Sequence, residues 1–218
     1  MIYLMYICQL LIDFMARFTS STFGKISGKH GTAVAAVRKD GLCILKEYRV
    51  ASNPNTAGQK NQRGKFGFVM KELNCLRSVF TQNFGGQYGI NKVVAIAMKT
   101  AVSGEFPDFK LDYSKLIIAN GNLYSTSHVS LEKVSGKLVR VNWYPELLED
   151  AVPNDKVHIV LLNSKTKFVK LSYDCAFRSE GKIDIEVPSG WVESDLNAWI
   201  YFKSAEGNRL SESQYISM

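Results

Sequence analysis

Metal-binding and disulfide frameworks are the first things this sequence lacks. Its four cysteines, Cys8, Cys43, Cys75 and Cys175, are too widely separated for any pair to match the close spacing of a zinc knuckle. Cys43 falls in an apolar strand-like run and Cys75 on the apolar side of a helix, so they read as buried free thiols, with a reducing compartment favoured. Histidine is as sparse: His30, His128 and His158 are scattered, and none stands in a metal or triad signature. His158 alternates with the apolar Val157 and Ile159 and reads as a surface position on a strand. Glu149 and Asp150, and the Asp184/Glu186 alternation, read as exposed positions on a loop and a strand. There is no G-x-S-x-G elbow and no acid/base pair with a defined environment. The expectation is therefore a protein that is not an enzyme, with no catalytic residue, metal ligand or cofactor.

Long hydrophobic runs are also missing. The opening MIYLMYICQLLIDFMARF is interrupted by Gln9 and Asp13, and it falls short of the about 20 apolar residues a spanning helix requires. It has no basic leading segment and no small-residue cleavage site, so it is a poor export signal. Residues 1–14 read as an upstream extension, non-native or disordered, ahead of a natural start at Met15; an anchor at a membrane interface is the alternative. The expected location is the cytoplasm or a particle, with no transmembrane segment.

What is present is an ordinary folded composition: 46% hydrophobic and 22% charged residues over 218 positions, enough for one large or two small domains. The net charge of +7 is unevenly placed. Residues 1–113 hold 15 Lys and Arg against 7 Asp and Glu, and residues 114–218 hold 12 against 13. A basic half suits a solvated face, nucleic acid or an acidic partner.

The stretch Gly24-Lys25-Ile26-Ser27-Gly28-Lys29-His30-Gly31 invites a phosphate-loop reading, but the glycine spacing fails and no helix follows. It leads instead into a hairpin, residues 34–37 and 42–49, turned at Lys39-Asp40-Gly41. Pro54 keeps Asn53 out of the helical region, and Thr56 with Gln59 matches a capping box. Phe66, Val69, Met70, Leu73, Leu76 and Phe80 then recur at helical steps, predicting a helix over residues 56–80 that Gly58, Gly64 and Gly67 weaken. A polar link over residues 81–89 precedes a second helix over residues 90–102, with Gly104 at its C-terminal cap and Pro107 forbidding continuation. Five basic residues, Lys25, Lys29, Lys60, Arg63 and Lys65, are the candidates for binding a partner or phosphate.

Ser27, Gly28, Lys29, Gly31, Asn53, Pro54, Thr56, Gln59, Gln62, Arg63, Lys65 and Phe66 form the pattern SGK-x-G, hairpin, then S-N-P-x-T-x-x-Q-x-x-Q-R-x-K-F. With Ala101-Val102-Ser103-Gly104-Glu105-Phe106-Pro107-Asp108-Phe109, Leu111-Asp112-Tyr113-Ser114-Lys115 and the Val187-Pro188-Ser189-Gly190-Trp191 turn, this resembles an uncharacterised bacterial family of unknown function found mainly in Bacteroidota. The resemblance runs from Met15 to the C-terminus and implies no activity or cofactor. The chain departs from the family at Gly58, Gly64 and Gly67, where better helix formers are usual. The helix segment is also similar to sequences of phage and prophage genes.

From Lys115 on the period becomes two. LIIANGNL, HVSLEKV, KLVRVNWY, KVHIVLLN, KFVKLSY, KIDIEV, NAWIYFK and QYISM predict seven or eight short strands, the pattern of an immunoglobulin- or fibronectin-like sandwich. The expected fold is α+β: a basic β-hairpin plus two helices over residues 15–113, then an all-β sandwich over residues 114–218. The expected function is a non-catalytic structural or adaptor protein mediating protein–protein assembly or self-assembly, of phage or appendage type. The alternative is a nucleic-acid-binding protein using the basic half.

Overall fold

A computed structural model describes residues 16–18, 24–50 and 52–217. The expected extension over residues 1–14 lies outside the described residues. The chain forms two compact units, Met1–Pro54 and Asn55–Met218.

The first unit is an antiparallel sheet in the order β1-β4-β3-β2, built from β1 (Ala16–Phe18), β2 (Gly28–His30), β3 (Ala33–Val37) and β4 (Cys43–Glu47). The expected hairpin is its centre. Asp40 Oδ1 accepts from the Leu42 amide at 3.1 Å, and Gly41, at φ 81°, supplies the left-handed turn residue. The glycine- and lysine-rich lead-in becomes β2, an exposed edge on which Lys29 Nζ sits 3.9 Å from the centre of the Tyr48 ring.

The second unit opens on α1 (Ala57–Leu73), whose Thr56 cap accepts from the Gln59 amide at 3.3 Å. One tight turn, Asn74–Leu76, joins it to α2 (Arg77–Phe84). The helical run therefore extends through the stretch expected to be a polar link. Gly85, at φ 78°, turns the chain directly into α3 (Gly86–Thr100). Helix was also expected through Val102, with Gly104 as cap; instead residues 102–111 form a hairpin of β5 (Val102–Glu105) and β6 (Asp108–Leu111).

Seven strands follow: β7 (Val129–Ser135), β8 (Leu138–Trp143), β9 (Lys156–Asn163), β10 (Val169–Phe177), β11 (Lys182–Glu186), β12 (Leu196–Lys203) and β13 (Gln214–Ile216). They make an antiparallel four-stranded sheet, β10-β9-β12-β13, and a three-stranded one, β11-β8-β7. The expected strand over residues 116–123 is irregular instead. Leu116, Ile118, Ala119 and Leu123 are buried there, and their backbone is satisfied by non-ladder bonds, with Ser213 Oγ accepting from the Ile118 amide at 2.9 Å.

The fold is α+β, and its layers explain the two longest apolar runs. Val157, Ile159 and Leu161 of β9 and Ala198, Ile200 and Phe202 of β12 share a core with Val139, Val141 and Trp143 of β8. On the other face Val160, Leu162, Trp199 and Tyr201 share a second core with Val69, Leu73, Leu76, Phe80, Val93, Val94 and Ala97 of the helices. β9 and β12 are thus covered on both sides, which is why they read as near-continuous hydrophobic runs rather than alternations. The domain boundary expected after Tyr113 falls inside this unit. The helices belong with the strands because they cover the outer face of the four-stranded sheet, and the break lies at Pro54.

Candidate protein-binding loop

Three groups of ionisable side chains are drawn into the second unit, and each ties elements together. Arg178 is fully buried against Asp155, with Nε 3.1 Å from Oδ2. It also donates to the Tyr124 and Ser125 carbonyls and lies 3.9 Å from the centre of the Phe202 ring. Its own carbonyl accepts from Trp143 Nε1 at 2.8 Å. Glu72 of α1 takes an ion pair from Lys167 and a hydrogen bond from the Tyr113 hydroxyl at 3.0 Å, fastening the helix to the β9–β10 turn.

The third group overturns the expectation that His158 lies on the surface. Because β9 is covered on both faces, His158 is buried. It stacks on Tyr201 with ring centroids 5.0 Å apart, and its Nε2 lies 3.1 Å from Asp174 Oδ1. Asp174 sits at φ 49° where the β10 ladder is interrupted between Ser172 and Ala176. Burial pulls the imidazole from its ordinary 6.5 down to about 4; Asp174 opposes this, while Lys203 and Lys156 reinforce it. Above pH 6.5 the ring is neutral folded and unfolded. As pH falls from there toward 4, the unfolded chain takes up a proton that the folded chain refuses, so stability declines by about 3 kcal/mol. Urea midpoints at neutral and acid pH check this: in His158→Gln the decline between those pH values should shrink by about that amount, and an unchanged acid limb would refute it.

Outside these groups, the loop between β8 and β9, residues 144–155, tethers two carboxylates and exposes its large apolar side chains. Glu146 and Asp150 are half-buried. Glu146 accepts from the Tyr124 hydroxyl and Ser127 Oγ, both at 2.6 Å, and from the Ser127 amide at 3.0 Å. The hydrogen bonds from Ser127 and Tyr124 hold its carboxyl below the usual range. Asp150 accepts from the Tyr124 amide at 3.3 Å and is ion-paired with Arg209 in the β12–β13 loop. The apolar residues face out: Tyr144 is 61% exposed, Leu147 54% and Leu148 53%, with Val152 and the nearby Phe177 also exposed. Glu149 holds a left-handed φ of 55°, a conformation that costs a side chain free energy and that is found disproportionately at functional sites. In this loop two carboxylates are half-buried and held by hydrogen bonds, while the leucines and Glu149 face solvent.

None of these loop residues was among the candidates from sequence. The local signal was the Leu147-Leu148 pair inside a turn region; the acidic residues beside it read as ordinary surface, yet Asp150 is half-buried. Of the basic candidates, Lys25 and Lys29 are exposed in the first unit. Lys60 and Arg63 are exposed on α1, one turn apart, whereas Lys65 is half-buried on another side of that helix. Among the described residues no cluster of His, Cys, Asp and Glu is placed to hold a metal ion, and no helix is long and apolar enough to cross a membrane.

The model of the Family of unknown function (DUF6266) matches residues 25–217. The chain belongs to that family. No curated protein matches it. For this DUF6266 chain the match takes in both the β2–β4 sheet and nearly all of the second unit, so the β8–β9 loop lies well inside the family region.

Proposed function

We propose that the protein is a non-catalytic binding module of immunoglobulin or fibronectin type, which assembles with a protein partner through the β8–β9 loop. The observation that carries this reading is the loop's exposed apolar set, Tyr144, Leu147, Leu148 and Val152, on a backbone tethered through Glu146 and Asp150. Strand order supports it. Counting from β7, the first, second and fifth strands form one sheet, and the third, fourth, sixth and seventh the other. Constant-type immunoglobulin domains place the fourth strand with the first, second and fifth; moving that single strand across gives the present order. In variable domains the loop after the second strand and the loop after the sixth lie together at the recognition end. Here the corresponding loops are joined by the Asp150–Arg209 pair. That likeness is an analogy of fold; the exposed leucines carry the argument.

A photo-reactive amino acid at Leu148, with the protein expressed in its native cells, tests the proposal. One discrete cross-linked protein is expected, identifiable by mass. With that partner purified, Leu147→Asp with Leu148→Asp should weaken binding at least about 100-fold, since each buried leucine is worth roughly 1.5–3 kcal/mol. No discrete product from Leu148, or unaltered affinity in the double variant, would refute it.

A further inference from the structure

We infer that the outer face of α1 is a binding surface for single-stranded nucleic acid, held by phosphate contacts and by bases stacked on exposed phenylalanines. It is a separate surface from the β8–β9 loop and rests on different observations.

The first is a segregation of charge. From α1 to the end of α3 there are seven basic residues, Lys60, Arg63, Lys65, Lys71, Arg77, Lys92 and Lys99, and a single acid, Glu72. That acid is turned inward and occupied by Lys167 and Tyr113. Residues 101–218, by contrast, hold 13 basic and 16 acidic residues. The helical layer therefore presents mostly positive charge to solvent, the exposed carboxylates beside it being Glu105 and Asp108 in the hairpin that carries Phe106, and that excess favours a polyanion.

The second is the glycine pattern. Positions 60, 63, 67, 71 and 74 recur at three- and four-residue steps and are all exposed, so Lys60, Arg63, Gly67, Lys71 and Asn74 form one stripe. Glycine inside a helix is destabilising, and a fold retains it where something comes close. Gly64 has such a reason: a Cβ there would lie 2.5 Å from Phe106 Cδ2. Gly67 does not, because nothing lies within 4 Å of where its Cβ would be. Folding gains nothing from a glycine at that place. Its position between Arg63 and Lys71 leaves the helix backbone open to close approach by a ligand.

The third is the pair of aromatic rings flanking the stripe. Phe66, 51% exposed, is the i+3 neighbour of Arg63. Phe106, 56% exposed, sits over Gly64, and its amide donates to Asn61 Oδ1 at 3.1 Å. Exposed aromatic faces beside a cationic track are what unpaired bases use: the track follows the phosphates and the rings stack the bases without reading sequence. A duplex, whose bases are already stacked, gains nothing from them.

Fluorescence anisotropy of the full chain with a labelled oligothymidylate of about 16 nucleotides tests this. Between about 50 and 200 mM salt, affinity should fall with a log–log slope near −2, from about three phosphates neutralised by Lys60, Arg63 and Lys71. Lys60→Glu with Arg63→Glu should abolish binding. Phe66→Ala, which alters an exposed side chain, should weaken it about 5- to 100-fold. Gly67→Gln should raise the thermal midpoint while weakening binding, an opposition that a purely structural role cannot produce. Three results would each overturn the inference: no binding at the low-salt end, wild-type affinity in both Phe66→Ala and Gly67→Gln, or tighter binding to a duplex or to phosphatidylserine vesicles than to the single strand.

Discussion

Arg178→Ala should lower the stability of the second unit by about 3–5 kcal/mol, the largest loss expected of any charge substitution in the chain. Removing the guanidinium leaves the Asp155 carboxyl fully buried without its counter-charge. It also strips the Tyr124 and Ser125 carbonyls of their donors and uncovers the Phe202 ring. Two of those losses concern the segment that presents Tyr124 to Glu146 and Asp150, so the β8–β9 loop should lose order along with stability. Burial already pulls the Arg178 pKa down against the opposing attraction of Asp155, so the residue is held by its partner rather than by solvent. Urea denaturation followed by tryptophan fluorescence measures the loss. Adding Asp155→Asn to the alanine variant should restore part of it, because the uncompensated charge is then gone. If the single variant unfolds at the wild-type midpoint, the pair is not the internal staple described.

Trp199→Ala should cost a comparable about 3–5 kcal/mol and should loosen the helices and the sheets together. Trp199 is fully buried on the helix-facing side of β12, with Nε1 donating to the Leu116 carbonyl at 3.2 Å. Its ring is edge-on to Tyr215 at 5.6 Å and to Tyr113 at 6.4 Å. It shares a core with Leu73, Leu76 and Phe80, so a cavity there removes contacts from both layers at once. Circular dichroism at helical and sheet wavelengths should therefore show one coincident transition at a lower denaturant concentration. Trp199→Phe, which keeps most of the ring volume and loses the Leu116 bond, should be milder. Separate helical and sheet transitions in wild type would contradict a shared core.

Local chemistry was the legible part of this chain. Asp40-Gly41 specified its hairpin turn, Pro54 and Thr56 set the start of α1, and the period-two run KLVRVNWY announced β8. Each of those signals depends on neighbours within a few residues. Placement of the helices was not legible in the same way. An apolar stripe states that something will be covered and not what covers it, so helices that belong on the four-stranded sheet read as part of a separate basic module. His158 was misplaced for the same reason: with apolar residues on both sides of it, a strand covered on two faces resembles one covered on a single face. The loop was illegible because its tethers are Tyr124, Ser127 and Arg209, which are distant in sequence from Glu146 and Asp150.

Short-range sterics, patterning and composition were enough to specify the α+β class, most of the strands after residue 128 and the concentration of positive charge ahead of the strand-rich half. Long-range packing alone set the division at Pro54, the burial of β9 and β12 on both faces, and the tethering of Glu146 and Asp150 in a β8–β9 loop whose leucines face solvent. Those outcomes depend on which distant surfaces meet, and burial is a property of the pair that meets rather than of either segment alone.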